Sequence, residues 1–454
     1  MGFSNNFVWG VATSSYQIEG AAYEDGKGLS IWDVYCTQPD RIFEGHHGEV
    51  ACDHYHRYKE DVQLMKEMGI KAYRFSISWP RVLPKGIGEV NKAGLDFYDK
   101  LVDALIEANI EPYVTLFHWD LPYELHKRGG WMNPDSPSWF AEYTKVVVER
   151  LSDRVKNFIT FNEPQCFIGF GYSQGRHAPG LKQSVRDTLA MAHNVLLAHG
   201  YSVKTIRKYA KGEVKIGFAP TGSMNYPCSE RKEDIEAARH SIFDMPKEIR
   251  EDWAWNVTWW SDPIFWGHYP QDGLKLFKDY LPKINEGDME IISQPIDFLG
   301  QNIYTGKEVK ADENGEAIYL TRNEGSPKTA LSWPITPKAL YWGPRFLYER
   351  YKKPIYITEN GLSCHDVISV DGQVHDPNRI DFLHRYLREF KRAAEDGIEV
   401  AGYFQWSLLD NFEWHSGYAE RFGIVFVDYQ NQKRIIKDSG YWYKSVIETN
   451  GEIL

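Results

Sequence analysis

Two glutamates in this 454-residue chain each stand beside an asparagine at the end of an apolar segment. Glu163 lies in Thr-Phe-Asn-Glu-Pro (160–164), and Glu359 lies in Ile-Thr-Glu-Asn-Gly (357–361). Burial raises the pKa of a carboxyl group, and a neighbouring cation lowers it again for one member of a pair. Two carboxyl groups with separated pKa values provide one proton donor and one nucleophile, as cleavage of a glycosidic bond requires.

Either glutamate alone can instead be read as a cap for the helix that follows its strand, because acidic side chains favour helix N-termini. The surroundings favour the catalytic interpretation. The chain contains 16 Trp, 28 Tyr and 23 Phe, so that 15% of its residues are aromatic. This is more aromatic surface than a core needs, and we expect part of it to face a ligand.

Eight apolar segments rich in Val, Ile, Phe and Tyr are candidates for strands buried on both faces. They are Phe7–Tyr16, Ala72–Trp79, Pro112–Trp119, Phe158–Glu163, Val214–Pro220, Asp297–Tyr304, Pro354–Glu359 and Val400–Trp406. Between them, Arg57–Met68 and Asp96–Ala108 have the apolar spacing of amphipathic helices. Eight strands that alternate with helices predict an α/β fold, the (β/α)8 TIM barrel. No linker or repeat interrupts the pattern, so residues 1–454 are predicted to form a single catalytic domain with long βα loops.

A barrel of this kind carries its functional side chains at the carboxyl ends of the strands. Polar and aromatic residues are concentrated at the ends of the eight segments. They include Gln17, Arg74, His118, Trp119, Asn162, Glu163, Asn302, Tyr304, Glu359, Trp406 and Glu413. The sequence therefore predicts a single site at this face of the barrel.

The charge balance excludes several classes of partner. With 52 basic and 63 acidic side chains the net charge is -11, and an acidic protein repels nucleic-acid phosphates and anionic lipid. We expect no secretory signal and no transmembrane helix, because no matching apolar segment is found. The five cysteines are odd in number and form no Cys-x-x-Cys motif, which favours free thiols and a cytoplasmic location. The oligomeric state is not indicated by the sequence.

The segment Cys52–His56, with His46 and His47 nearby, is the candidate for a metal site. His-x-His is not the i, i+4 spacing of ligands on one helix face, and no second Cys/His group follows in sequence. Because the segment opens an amphipathic helix, capping and packing are the favoured interpretation. No metal and no other cofactor is predicted. Cys166, close after Glu163, is expected to pack rather than to react.

Several long segments, in the same order, resemble glycoside hydrolase family 1, the β-glucosidase type. They are Phe7–Gly20, Tyr73–Arg81, Thr115–Pro122, the two glutamate segments and Trp406–Trp414. The resemblance covers nearly the whole chain. It implies hydrolysis, with net retention, of terminal non-reducing β-D-glucosyl residues of β-glucosides and cello-oligosaccharides. It also implies that β-galactosides and β-fucosides are accepted.

The resemblance also implies roles for individual residues. Glu163 matches the acid/base and Glu359 the nucleophile. Arg74, Asn302 and Tyr304 complete the predicted catalytic set. The predicted substrate-binding set is Gln17, His118, Trp119, Asn162, Trp333, Trp406, Glu413, Trp414 and Phe422. Aglycone preference is expected in the loops near 165–180, 222–234 and 305–333.

Three alternatives to a simple hydrolase remain. A transglycosidase would use the same glycosyl-enzyme ester with a sugar or alcohol in place of water. A 6-phospho-β-glucosidase is disfavoured, because Glu413 and Glu420 stand in the stretch where that subgroup holds the phosphate, and carboxylates repel a phosphate dianion. A non-catalytic sugar-binding homologue is disfavoured because both glutamates are present.

Overall fold

The computed structural model describes residues 2–454. Eight parallel strands form a closed barrel in chain order, with the first strand paired to the last. The barrel strands are β1 (Val8–Ala12), β2 (Ala72–Ser76), β3 (Glu111–Phe117), β4 (Asn157–Asn162), β5 (Lys215–Ala219), β6 (Phe298–Asn302), β7 (Ile355–Asn360) and β8 (Val400–Trp406). The (β/α)8 barrel predicted from the alternating pattern is confirmed.

Each predicted segment overlaps a barrel strand, and β3, β4 and β7 extend one residue beyond their segments. The prediction for the second segment is wrong beyond Ser76, because a helix begins at Trp79. The prediction for the first segment is wrong beyond Ala12. Strand β1 ends there, and Ser15–Ile18 forms a helical turn. The backbone N–H of Ser15 donates to the hydroxyl of Ser76 at 2.7 Å, and its own hydroxyl donates to Asp120. Side chains of Ser76 and Asp120 therefore provide the hydrogen-bond partners of Ser15 that a neighbouring strand would provide if β1 continued.

Helices cover the outside of the barrel. The longer ones are His54–Glu67, Lys92–Glu107, Ser136–Leu151, Val185–Tyr209, Lys232–Phe243, Thr258–Trp266, Ala339–Tyr351, Pro377–Glu395 and Asp438–Glu448. The shorter ones are Ile31–Tyr35, Trp79–Val82, Tyr123–Lys127, Pro164–Cys166, Gln271–Leu276 and Asp288–Ile292. Both helices predicted from apolar spacing are present. They begin earlier than predicted, at His54 and Lys92, and end at Glu67 and Glu107.

Two apolar cores hold the barrel. The larger one lies between the strands and the helices and surrounds the barrel. The smaller one fills the barrel interior, where alanines from some strands make room for rings from others. Its members are Ala12, Ala72, Tyr113, Ile159, Ala219, Phe298, Tyr356, Phe404, Trp406 and Phe422. Because the interior is packed and not a pore, the rings of Trp406 and Phe422 at its upper end have a rigid support.

Long segments after the strands build the upper face of the barrel. The segments after β5 and β6 together form a three-stranded sheet of Tyr226–Pro227, Glu308–Ala311 and Ala317–Tyr319, and the segment after β8 holds a hairpin of Val425–Asp428 and Lys433–Ile436. The buried ammonium of Lys437 donates to Asp366 at 2.5 Å and to Asp410 at 2.7 Å. Breaking a buried pair leaves an uncompensated charge, so this contact ties the loop after β7 firmly to the loop after β8.

The histidines near the first long helix are engaged in local contacts. His54 Nδ1 lies 2.7 Å from Asp61, and the ring of His56 hydrogen-bonds to Asp53 and Glu24. These contacts agree with the packing interpretation, whereas Asp53 at the start of the helix makes no side-chain capping hydrogen bond to the backbone. Within residues 2–454, no group of three or more His, Cys, Asp or Glu side chains is placed to hold a metal ion. In the same residues, no helix has both the length and the apolar composition needed to cross a bilayer.

Candidate active site

A cavity of about 480 Å³ lies at the carboxyl ends of the barrel strands. Its wall contains ten of the predicted site residues, namely His118, Trp119, Glu163, Tyr304, Trp333, Glu359, Trp406, Glu413, Trp414 and Phe422. The other four, Gln17, Arg74, Asn162 and Asn302, are fully buried, and each hydrogen-bonds to a residue of the wall. The fold therefore brings together every residue that was predicted from strand ends and from the family resemblance.

Glu163 directly follows strand β4 in an unusual backbone conformation. Its φ of 44° lies in the left-handed region, which a residue with a long side chain rarely adopts. Its backbone N–H donates to the carbonyl of Ala219 on β5 at 2.8 Å. The amide of Asn302 donates to Oε1 at 2.8 Å, and the thiol of Cys166 contacts Oε2 at 3.0 Å. Both carboxyl oxygens thus have a neutral partner.

Glu359 lies near the end of strand β7 and has a cation in direct contact. Arg74 Nη1 donates to Oε1 at 2.7 Å, and the hydroxyl of Tyr304 donates to Oε2 at 2.8 Å. Arg74 is itself held by the carbonyl of Thr358 and by the side chain of Asn162, at 3.0 and 2.6 Å. The guanidinium is therefore fixed in position before any substrate arrives.

The carboxyl groups of Glu163 and Glu359 differ in the contacts that oppose the rise in pKa caused by burial. Burial, with the charge of Glu359, raises the pKa of Glu163 to about 7, while the contacts from Cys166 and Asn302 lower it in part. Burial also raises the pKa of Glu359, but Arg74, Tyr304 and Asn302 oppose that rise. Because only Glu359 touches a cation, it ionises first, and Glu163 keeps its proton to higher pH. The site therefore holds one acid and one carboxylate.

An amide network joins both carboxyl groups to a histidine. Asn302 Nδ2 also donates to Asn162 Oδ1 at 3.0 Å, and Asn162 Nδ2 donates to His118 Nε2 at 3.0 Å. Burial and the charge of Arg74 hold the pKa of His118 well below its usual value, so the ring is neutral. Since Nε2 accepts, the proton is on Nδ1, which has no hydrogen-bond partner among residues 2–454. This N–H can donate to a ligand hydroxyl.

Glu413, on the loop after β8, is a third carboxyl group in the cavity. Gln17 Nε2 donates to it at 3.4 Å and to the carbonyl of Phe412 at 2.9 Å. Burial, with the charges of Glu359, Glu420 and Glu163, raises the pKa of Glu413 to about 8. A protonated carboxyl group can donate and accept at once, which suits it to bind a hydroxyl group.

Aromatic rings surround these polar groups on two sides. The Trp119 and Trp414 rings are 4.4 Å apart, and the Trp406 ring lies 5.8 Å from that of His118 at an interplanar angle of 22°. On the other side, the Trp333 ring lies 6.0 Å from Phe422. Aromatic faces pack against the C–H face of a sugar while polar groups bind its hydroxyl edges. The arrangement is that of a sugar pocket.

Sequence reasoning missed several residues of the cavity wall. They are Cys166, Phe170, Arg176, His177, Thr221, Ser223, Trp255, Leu331 and His415. Most lie in or beside the loops predicted to set aglycone preference, but Trp255 and His415 lie outside them. Trp255 packs on Phe170 with ring centroids 5.0 Å apart, and His415 Nδ1 lies 3.2 Å from His177 Nε2. Irregular loops have no periodic pattern, so their contacts are visible only in the folded chain.

Comparisons with known proteins agree with this geometry. The family profile described as Glycosyl hydrolase family 1 matches residues 1–452. A 1,4-beta-D-glucan glucohydrolase of Thermotoga neapolitana is 48% identical over 452 residues, which are 99% of each chain. Beta-glucosidase A of Thermotoga maritima is 46% identical over 99% of this chain and 98% of its own. The structure of Thermotoga maritima beta-glucosidase in complex with glucoimidazole matches with a TM-score of 0.90 at 46% identity, covering 99% of both chains.

Proposed function

The chain belongs to glycosyl hydrolase family 1, and on that basis we propose that it is a retaining β-glucosidase. It hydrolyses terminal non-reducing β-D-glucosyl residues of β-glucosides and cello-oligosaccharides. The observation that carries this proposal is the asymmetry of the two buried carboxyl groups. Glu359 is in contact with Arg74, whereas Glu163 has only neutral partners. The family resemblance read from the sequence motifs is confirmed.

In the first step, the Glu359 carboxylate attacks the anomeric carbon of the bound glucoside. Glu163 donates its proton to the glycosidic oxygen as the bond to the aglycone breaks. The products are a glucosyl ester on Glu359 and the free aglycone alcohol. Arg74 and Tyr304 orient the attacking carboxylate, since each donates to a different oxygen of it.

In the second step, water hydrolyses the ester and Glu163 acts as the base. Esterification removes the negative charge of Glu359, which is one cause of the raised pKa of Glu163. The pKa of Glu163 therefore falls, and the ionised carboxylate can take a proton from the attacking water. Two displacements at one carbon restore the β-configuration of the released glucose.

The glycone is held by groups that every glucose-like sugar can use. We assign the Nδ1–H of His118 and the protonated carboxyl of Glu413 to sugar hydroxyl groups, and the ring of Trp406 to the sugar face. None of these three contacts requires a particular configuration at one carbon of the sugar. We therefore propose β-galactosides and β-fucosides as further substrates. Transfer of the glucosyl group to an alcohol or a sugar acceptor is the alternative outcome of the second step.

We propose that the substrate sugar is not phosphorylated. Glu420 lies near enough to Glu413 for its charge to raise the pKa of Glu413, and Glu420 Oε2 is buried without a hydrogen-bond partner among the described residues. Neither side chain supplies a cation to hold a phosphate dianion, and an ionised carboxyl group there repels it. The free thiols of the described chain support a cytoplasmic location, and the 1,4-beta-D-glucan glucohydrolase among its relatives supports a role in the use of cellulose-derived oligosaccharides. The net charge of -11 disfavours nucleic-acid and membrane partners.

The purified protein is expected to hydrolyse cellobiose and 4-nitrophenyl β-D-glucoside, and to release β-glucose as the first sugar product from the aryl glucoside, whose leaving group is not a sugar. The anomeric proton is followed by NMR in the first minutes, before mutarotation mixes the anomers. A parallel assay at high acceptor concentration measures glucosyl transfer. Release of α-glucose as the first product from 4-nitrophenyl β-D-glucoside would contradict double displacement. Equal turnover of 4-nitrophenyl β-D-glucoside 6-phosphate would contradict the non-phosphorylated substrate.

A second cavity of about 910 Å³ supports oligosaccharides as substrates. It shares Ser223 and Trp255 with the catalytic cavity, so the two are continuous on the aglycone side. An exposed ion pair between Lys247 and Glu316, 3.1 Å long, joins its two walls, and such pairs are too weak to close a groove. The ring of Tyr319 in its wall is 50% exposed and can stack on a sugar. We infer that glucosyl units beyond the first leaving unit bind here.

The kcat/KM is accordingly expected to rise from cellobiose to cellotriose and cellotetraose. Tyr319→Ala is expected to lower kcat/KM for the two longer substrates by roughly three- to tenfold, as loss of one aromatic contact predicts, and to leave aryl glucosides unchanged. Tyr280→Ala, which removes a tyrosine that is 40% exposed and lies outside both cavities, is the matched control. If Tyr319→Ala changes all substrates equally, the groove does not bind the oligosaccharide.

A further inference from the structure

The turn that follows Glu163 places a thiol against its carboxyl group. The left-handed backbone at Glu163 reverses the chain, and the backbone N–H of Cys166 donates to the Glu163 carbonyl at 2.9 Å. The sulfur of Cys166 consequently lies 3.0 Å from Glu163 Oε2. Cys166 is 5% exposed and belongs to the wall of the catalytic cavity. Simple packing, as expected from the sequence, does not account for this contact.

The thiol is the donor in this contact. Burial and the adjacent charge of Glu163 raise the pKa of the Cys166 thiol well above its usual value, so that the sulfur keeps its proton. Asn302 Nδ2 donates to the other oxygen, Oε1. Among residues 2–454, Cys166 is thus the side chain that supplies a hydrogen bond to Oε2. The cysteine and the asparagine together fix the plane of the carboxyl group.

We propose that Cys166 is a positioning residue for Glu163, whose S–H···Oε2 hydrogen bond holds the carboxyl group in place and stabilises its ionised form for the second step. This role rests on the proposed function, in which Glu163 alternates between acid and base. No bond to sulfur forms or breaks, and the thiol proton stays on sulfur in both steps. A hydrogen bond donated to a carboxylate favours the charged form over the neutral one.

The sign of the effect follows from that preference. Loss of the thiol raises the pKa of Glu163, so the acid form survives to higher pH and the base form becomes scarcer near neutral pH. The first step, which needs the acid, is retained. The second step, which needs the base, becomes slower. A defect in folding or packing would slow both steps without moving the pH dependence.

Cys166→Ala is the first test. For 2,4-dinitrophenyl β-D-glucoside, whose leaving group needs no proton, the second step limits kcat. Both kcat and KM are expected to fall about three- to tenfold, leaving kcat/KM unchanged. The basic limb of the kcat/KM profile for 4-nitrophenyl β-D-glucoside is expected to move up by about 0.5 to 1 pH unit. Cys166→Ser, which keeps a donor, is expected to restore part of both changes.

Cys228→Ala is the matched control. It removes a thiol that lies 3.5 Å from the carboxylate of Asp234, outside the catalytic cavity. This variant is expected to keep the native pH profile and the native kcat. The proposal is overturned if Cys166→Ala leaves both the basic limb and kcat unchanged, or if it lowers kcat/KM for all substrates equally with no pH shift.

A second measurement does not depend on catalysis. The rate at which iodoacetamide alkylates Cys166 is measured by peptide mass spectrometry in the native protein and in Glu163→Gln. Removal of the adjacent carboxylate lowers the pKa of the thiol, so alkylation is expected to be severalfold faster in the variant. Equal alkylation rates in the two proteins would contradict the proposed contact between Cys166 and Glu163. If the native protein hydrolyses no β-glucoside, the proposed function fails, and the alkylation rates still decide whether Cys166 and Glu163 are coupled.

Discussion

Glu359→Gly is expected to lower kcat for ordinary β-glucosides by roughly four orders of magnitude or more, because no group remains to form the ester. Arg74 keeps its contacts with Thr358 and Asn162 in this variant, so the pocket retains its polar frame. Circular dichroism and the melting temperature check that the fold is intact. Activity on cellobiose near the native level would show that Glu359 is not the nucleophile.

The space left by the Glu359 side chain provides a sharper test of its role. Azide is small enough to enter that space and to attack the anomeric carbon from the face that the carboxylate occupied. With an activated aryl β-glucoside, azide is therefore expected to restore turnover and to yield α-glucosyl azide, with inverted configuration, as identified by NMR. Glu359→Gln preserves the volume of the side chain and serves as the control, in which rescue is expected to be much weaker.

Glu163→Ala is expected to divide substrates by their leaving group. For cellobiose, whose leaving alcohol must be protonated, kcat/KM falls by roughly two to four orders of magnitude. For 2,4-dinitrophenyl β-D-glucoside, which needs no proton, kcat/KM stays close to the native value. The basic limb of the pH profile, which reports the raised pKa of Glu163, is expected to disappear.

Azide distinguishes the acid/base variant from the nucleophile variant. In Glu163→Ala the glucosyl ester on Glu359 still forms, and azide attacks it without the help of a base. The expected product is β-glucosyl azide, with retained configuration, and kcat for the activated substrate rises with azide concentration. An α-azide from Glu163→Ala would mean that the two roles are exchanged. Asn302→Ala is the control for Glu163→Ala. It removes the hydrogen-bond donor to Glu163 Oε1 but keeps the carboxyl groups of both Glu163 and Glu359.

Two kinds of feature could not be predicted from the sequence. They are the helical turn at Ser15–Ile18 and the structure of the long segments between strands. Most strand ends could be read locally, since an apolar run followed by polar residues marks them. Strands β1 and β2 end earlier than predicted. Ser15, just after β1, hydrogen-bonds to Ser76 and Asp120, and a helix begins at Trp79, just after β2. The loop that carries Trp255 was missed, because irregular segments have no period to read. Its place in the wall depends on packing against Phe170.

Local sequence was sufficient to identify the barrel and the two glutamates, because apolar runs, their polar ends and the family motifs are properties of neighbouring residues. The abundance of aromatic residues also indicated a pocket. The difference between the two glutamates arises only in the folded chain. Arg74 and Glu359 are 285 positions apart, and their contact, absent at Glu163, decides which carboxyl group ionises first. A pKa depends on distance and burial, and both are set when the barrel closes.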